Sequence, residues 1–294
     1  MTNTEIKRYE ALNSDQINIL HKLYNNCFDL LKMTKNNFAK RLFWNDYKKI
    51  FFLAEIDEDI IGYLIIVNDS ILLLIVDEAY RRKGLGSNLL RKGEQEVKLK
   101  YDEINLVAPD CFLCGVPFDT KSSYHKWFEN RDFIYDWTSF DMIVDLENFT
   151  YTEKNFPCSL DGTVFRKLGE NKDEVMSCYN GADSVEKGWG EYFLKDNTEA
   201  IIALKGKEVI GGVIVPSFCI FDGSLKDAGS FGVIWVLEEY REKGVGMKLY
   251  LKSLLDLRER GFKSCHIGYT YLDSWYGKLG AKKYIDYWIG AKKL

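Results

Sequence analysis

Two short stretches of this sequence hold residues whose types and spacing can do chemistry: Val76-Asp-Glu-Ala-Tyr-Arg-Arg-Lys-Gly-Leu-Gly86 and Val236-Leu-Glu-Glu-Tyr-Arg-Glu-Lys-Gly-Val-Gly246. Each leaves an apolar run and opens a helical one. Two glycines at i and i+2 let the backbone turn tightly and aim successive N–H groups at one point. The helix start behind them adds about half a positive charge. Arg241 and Lys243 bring full charges to one loop, and Arg81, Arg82 and Lys83 bring them to the other. Such a loop suits a diphosphate held mostly by backbone. Competing phosphate motifs fail. Leu89 and Leu249 stand where a G-x-G-x-x-G run needs its third glycine, and no G-x-x-x-x-G-K-[ST] run occurs.

The two stretches match at Val, Glu, Tyr, Arg, Lys and both Gly positions, at one constant offset. Upstream, Ile61-Gly62 pairs with Ile210-Gly211; downstream, Trp127-Phe128 pairs with Trp275-Tyr276. The offset changes between these anchors, so each copy carries an insertion: roughly Ala108–Thr120 in the first and Pro216–Ser230 in the second. A tandem duplication accounts for this, and the length of 294 residues accommodates two domains of about 150. We expect domains over residues 1–149 and 162–294, with a linker at 150–161 that has little periodicity and is punctuated by Pro157 and Gly162.

The elements that must position the loops repeat as well. In the first copy, Ile6–Tyr9 reads as a strand, and Ser14 stands where it would cap a helix with Ile17, Leu20, Leu23, Tyr24 and Cys27 along one face. Phe51–Ile56, Ile60–Val67 and Ile71–Val76 read as strands, followed by a helix from about Leu85 to Lys100. Gly93 inside that helix costs about 1 kcal/mol relative to alanine. Ile104–Val107, Ser122–Asn130 and Phe133–Leu146 follow as strand, helix and strand. The second copy runs Thr163–Lys167, helices within Glu170–Lys195, Ala200–Leu204, Val209–Val215 and Phe231–Val236. Then come the helix Gly246–Arg260, the strand Ser264–Tyr269, the helix Ser274–Leu279 and the strand Lys282–Ile289.

With these residues in place, the sequence resembles the GNAT superfamily of N-acetyltransferases. The Val-x-x-x-Tyr-Arg-x-Lys-Gly-x-Gly segments look like that family's acyl-CoA loop, and Trp275-Tyr-Gly-Lys-Leu-Gly-Ala281 looks like its closing helix and turn. The resemblance implies an α/β chain of two tandem GNAT-like domains, each a mixed, mostly antiparallel sheet flanked by helices. The parallel pair in each sheet should follow Val76 and Val236, where a helix crosses over. It also implies acetyl-CoA as co-substrate. Val236 would offer its N–H toward the thioester and pantetheine arm, and Arg241, Glu242, Lys243, Gly244, Val245, Gly246 and Met247 would cradle the pyrophosphate. Tyr276 would protonate the departing thiolate. In the first copy Val76 and Arg81, Arg82, Lys83, Gly84, Leu85, Gly86 and Ser87 match equally well. There, however, Phe128 stands at the tyrosine position, and the turn reads Asn130-Arg131-Asp132-Phe133. A phenyl ring donates no proton, so the second copy is the expected catalyst.

Other residues bear less. Glu238, Glu239, Asp273 and His266 are candidate bases, with a water chain as an alternative, and none stands out. Asp273 sits where an N-cap would. Alternation puts His266 with Gly268 and Thr270, opposite Cys265, Ile267 and Tyr269, which reads as a structural histidine. Cys265 lacks the histidine–acid pair a nucleophile needs. Cys111 and Cys114 have C-x-x-C spacing, but no second pair follows, so they read as loop residues. With 40 basic and 44 acidic residues the net charge is −4, which argues against nucleic acid and weakly favours a cationic amine acceptor, small-molecule or peptide. Three scattered histidines make no metal site. Asn68-Asp69-Ser70 interrupts the longest apolar run, so no membrane span is expected. The N-terminus lacks an apolar signal segment, and seven cysteines without a framework fit thiols in a reducing cytoplasm. The expected activity is direct acetyl transfer to a primary amine in a ternary complex, without metal or covalent enzyme intermediate. The alternative is a non-catalytic CoA-binding sensor or scaffold. The sequence leaves the oligomeric state open.

Overall fold

The structure, a computed structural model, describes residues 4–43, 46–107, 112–118, 124–194 and 199–294. In the first half of the chain these form β1 (Glu5–Tyr9), α1 (Ser14–Cys27), α2 (Lys35–Leu42), β2 (Lys49–Ile56), β3 (Asp59–Val67) and β4 (Ser70–Val76). They continue as α3 (Leu85–Val97), β5 (Glu103–Asn105), β6 (Val116–Phe118), α4 (Tyr124–Glu129) and β7 (Ile134–Asp145). The second half forms β8 (Thr163–Lys167), α5 (Lys172–Val185), β9 (Ala200–Lys205), β10 (Glu208–Ile214) and β11 (Ala228–Val236). After these come α6 (Val245–Glu259), β12 (Ser264–Thr270), α7 (Asp273–Gly277) and β13 (Lys282–Lys293).

Two compact units result. The first takes the chain up to Phe140, with Ile220–Lys226 and Ile285–Leu294 added from later in the sequence; the second takes Asp141–Cys219 and Asp227–Tyr284. In the first unit the strand order is β1-β2-β3-β4-β5-β13, with β6 also on β13. All pairs are antiparallel except β4 with β5, which touch in parallel only at Ser70 and Asn105. Beyond that point the two strands part. One sheet face carries Ile50, Phe52, Leu64 and Ile66 against Leu85, Leu89, Leu90 and Val97 of α3. Gly93 is explained here: a Cβ would lie 2.5 Å from Leu64 Cδ2, so its absence lets the helix press onto β3. Alternation sends Tyr63 to the other face, where its hydroxyl donates to Leu20 O of α1. Burying each such large apolar side chain contributes about 1.5–3 kcal/mol.

The second unit orders its strands β12-β11-β10-β9-β8, and β11 and β12 are parallel from Ala228 with Ser264 to Phe231 with Ile267. They then part, as β4 and β5 do. A bulge between Gly212 and Ile214 accompanies the bend, and Val233 takes a positive φ of 51°. Trp235 fills the space that two glycines leave: a Cβ at Gly181 would fall 2.2 Å from its ring, and one at Gly212 2.9 Å from Nε1.

Both parallel pairs fall where the resemblance implied. Some details differ from expectation. Asn13, not Ser14, caps α1, in a capping box with Gln16. The helix α2 and strand β6 were not foreseen, since both are short and weakly periodic. Asp273 opens α7 without a side-chain cap hydrogen bond, and its carboxylate accepts the Ser274 hydroxyl. Cys111 and residues 108–110, 119 and 120 of the first insertion lie outside the described residues. No described helix is long and apolar enough to cross a membrane.

Candidate functional site

The two loops fold alike in detail. Asp77 N–H donates to Ile61 O at 2.9 Å and Leu237 N–H to Ile210 O at 3.0 Å. That makes Gly62–Val76 and Gly211–Val236 non-hydrogen-bonded pairs, so Val76 and Val236 turn their own N–H and C=O away from the neighbouring strand and into the parting between strands. Arg81 Nε donates to Val76 O at 2.9 Å, and Arg241 Nε to Val236 O at 3.0 Å. These arginines therefore brace the loops against the strand ends. Lys83 and Lys243 fold back onto the carbonyls of Ala79 and Glu239. Arg82 and Glu242 have φ of 59° and 60°, and Gly84 and Gly244 both have φ of 84°. No side chain caps the first N–H groups of α3 or α6, those of Leu85, Gly86 and Ser87 or of Val245, Gly246 and Met247.

What surrounds the loops differs. In the first unit a cavity of about 300 Å³ opens between the parted strands, lined along its length by Ile71–Val76 and closed by Leu106, Val116 and Phe128. A Cβ at Gly84 would meet nothing within 4 Å. Trp127 covers Gly86, and Arg131 lies 3.8 Å over the Trp127 ring while donating to Ser87 Oγ at 2.9 Å. Thus Arg131, in the turn that departs from the family pattern, reaches back to the loop. Cys27 borders the cavity and accepts from Arg81 at 3.0 Å; burial pushes its thiol up, with Arg81 opposing. Tyr124 sits one helical turn before Phe128 and also lines the cavity. It is 37% exposed, and among the described residues its hydroxyl has no hydrogen-bond partner. Sequence reasoning passed over Tyr124 because it stands outside the motif; its spacing of four from Phe128 was the available signal.

In the second unit the loop is covered. A Cβ at Gly244 would lie 2.1 Å from Pro157 O, and Ser159 N–H donates to Lys243 O at 3.0 Å. Tyr276 is 6% exposed, with its ring centroid 4.7 Å from Trp275, 5.2 Å from Tyr250 and 5.8 Å from Phe231. Burial pushes its phenol well above the usual tyrosine range. Phe231 and Tyr250 stand where the first copy has Ile71 and Leu90, and their ring centroids lie 5.0 Å apart.

The candidate bases separate clearly. His266 is buried, and its Nε2 donates to Asp141 Oδ2 at 3.0 Å, while Asp141 Oδ1 accepts the Tyr269 N–H at 2.9 Å. Burial lowers the His266 pKa, but Cys219 and Asp141 outweigh it and push it up to about 10. Buried, held on Asp141 and with its pKa raised, this imidazole is a poor proton acceptor, and its place in the pair is structural. Glu238 and Glu239 are exposed on the turn after β11. Cys265 is fully buried and its thiol is pushed well up by that burial, so it serves no nucleophilic role. Among the described residues no group of three or more metal-ligating side chains converges.

Residues 17–110 match the family described as "Acetyltransferase (GNAT) family". The chain is also similar in structure to a GCN5-related glucosamine N-acetyltransferase region of a fungal multi-domain GH3 β-N-acetylglucosaminidase, at 18% identity and a TM-score of 0.83. That match covers 99% of this chain and 38% of the fungal one, so the chain spans well under half of that protein. A tandem GNAT protein from the clavulanic acid biosynthesis pathway matches at 11% identity and TM-score 0.75, over 99% of this chain and 98% of that one. A GCN5-related N-acetyltransferase from Sphaerobacter thermophilus matches at 13% and 0.66, over 98% and 95%. No curated protein sequence matches. The family match lies in the first half of the chain, and the whole chain shares its fold with a tandem GNAT protein.

Proposed function

We propose that the protein is an acetyl-CoA-dependent N-acetyltransferase that binds its co-substrate in the first unit. One contrast carries this reading: Gly84 is open beside a cavity that runs along β4, whereas Pro157 lies against Gly244. The match of residues 17–110 to the family supports the same half of the chain. The uncapped start of α3 fits a diphosphate, and the apolar channel fits a pantetheine arm. Acetyl-CoA supplies an activated acyl group; the protein supplies position, polarisation and a proton. The Val76 N–H, turned into the parting, steadies the pantetheine arm beside the thioester. The neutral acceptor amine forms the new N–C bond as the C–S bond breaks, and water takes the amine proton. Tyr124, the phenol bordering the cavity, gives its proton to the departing thiolate.

A non-catalytic CoA-binding role is the second reading, favoured by Phe128 at the position where the resemblance expects tyrosine. A screen of primary amines with acetyl-CoA, followed by free thiol, separates the two. Glucosamine, spermidine and a lysine peptide are suitable first acceptors, the first because of the fungal neighbour. The proposal expects amine-dependent thiol release; CoA binding without release with any amine would favour the second reading. The cysteine usage supports a cytoplasmic location.

A further inference from the structure

The second copy's insertion leaves its own half of the repeat: Ile220–Lys226 is built into the first unit, on the loop between α1 and α2. The attachment is specific. Thr34 N–H donates to Asp222 Oδ1 at 2.8 Å and its hydroxyl donates to Oδ2 at 2.7 Å. Lys32 N–H donates to Ser224 Oγ at 2.7 Å, and that hydroxyl donates to Asp29 O at 3.0 Å. Gly223 donates to Lys32 O, and a Cβ there would lie 2.8 Å from the Lys32 carbonyl carbon, so the approach requires glycine. Asn37 Nδ2 closes the set on Ile220 O at 2.9 Å.

This loop begins where α1 ends, at Cys27 and Phe28, and both border the cavity along β4. Phe28 meets the exposed Tyr124 edge-on, with centroids 6.4 Å apart, so the two rings flank its mouth. Thr34 is also the N-cap of α2, and Asp222 holds the capping hydroxyl in place. We propose that Ile220–Lys226 is a positioning element for the acceptor side of the first unit's cleft, with Asp222 as the residue that fixes it. The inference rests on the first unit being the acetyl-transfer site. It gives the second copy a task in the chemistry of the first: without the insertion, residues 28–34 lose the partner that holds the Phe28 wall against an incoming amine.

The test uses the full chain and the variants Asp222→Ala and Asp222→Asn. Asparagine keeps an acceptor for the Thr34 N–H and offers its amide N–H to the Thr34 hydroxyl; alanine keeps neither. With glucosamine as the amine probe, Asp222→Ala should raise the KM for glucosamine about tenfold, while the KM for acetyl-CoA stays within about twofold. Asp222→Asn should restore most of the loss. Hydrogen exchange over residues 28–37, read in the same samples without turnover, should rise in the alanine variant and return toward wild type in the asparagine one. Unchanged exchange, or equal losses toward glucosamine and acetyl-CoA, would overturn the inference. Absence of CoA binding by the wild-type chain in calorimetry would instead overturn the underlying functional reading, and the exchange result would still stand or fall by itself.

Discussion

At Gly84 and Gly244 the backbone takes the same φ of 84°, yet a Cβ would meet nothing at the first and Pro157 O at 2.1 Å at the second. The arginine brace, the lysine fold-back and the turned strand end recur beside both glycines within a few tenths of an ångström. A short local motif is enough to fix this backbone. Whether the loop is available to a ligand depends on residues far from it in sequence: Pro157 and Ser159 on one loop, Trp127 and Arg131 beside the other. The strand parting follows the same rule. Ile71 lines the first unit's cavity, and at the matching position Phe231 packs its ring against Tyr250 and Tyr276. The copy that kept the motif tyrosine packs it among Phe231, Tyr250 and Trp275, and the copy that lost it has the cavity along β4.

The largest expected effect tests that exchange directly. Tyr124→Phe should lower kcat by about 10²-fold, near 3 kcal/mol of barrier, with little change in the KM for acetyl-CoA. Tyr276→Phe should leave kcat within about twofold, as expected of a packing residue. A full loss at Tyr276 with none at Tyr124 would return the chemistry to the second copy.

A second contrast is electrostatic. The second unit holds the buried His266–Asp141 pair, and its folded histidine pKa of about 10 lies above the unfolded value of about 6.5. A raised pKa means the folded state binds the proton more tightly, so the pair's stabilisation is fully present below about pH 6.5. It then declines as pH rises and is lost once pH passes about 10. The thermal midpoint should fall between pH 7 and pH 10.5, and His266→Gln should flatten that slope. An unchanged slope in the variant would show that the pair is not the source.

The smallest effect is at Arg131. Its removal to alanine takes away a hydrogen bond to Ser87 and a cation over Trp127, which should weaken CoA binding about three- to tenfold by calorimetry. Unaltered affinity would mean that the Trp127–Arg131 cover does not order the loop.

Much of this was legible in the sequence, because the signals were local. The glycine pairs, the apolar run ending at Val76 or Val236, and the repeat itself gave the loops, the strands and both parallel pairs. Gly93, which weakens a helix by propensity, could be placed but not explained, since its reason is Leu64 on another strand. The pairing of Asp286–Lys293 with β5 and β6, and of Ile220–Lys226 with the α1–α2 loop, depends on contacts that no periodicity encodes. His266 reads as structural from alternation, but its partner Asp141 lies 125 residues away in the chain, where no local pattern shows it. Tyr124 lies outside the motif, one turn before Phe128, so its spacing of four is the only sequence signal it carries.

The most direct test of where the co-substrate binds is CoA calorimetry on a matched pair of variants, Gly86→Leu and Gly246→Leu. Both glycines are the second of their loop, and a Cβ at either would make only ordinary or slightly tight contact with a tryptophan, 3.3 Å at Gly86 and 3.6 Å at Gly246. The Cβ is thus accommodated at both positions, and thermal unfolding of each variant verifies that the longer side chain leaves the fold intact. The wild-type chain should bind one CoA, Gly86→Leu should bind none, and Gly246→Leu should bind as the wild type does. Binding retained in Gly86→Leu and lost in Gly246→Leu would contradict the account and place the working cleft in the second unit.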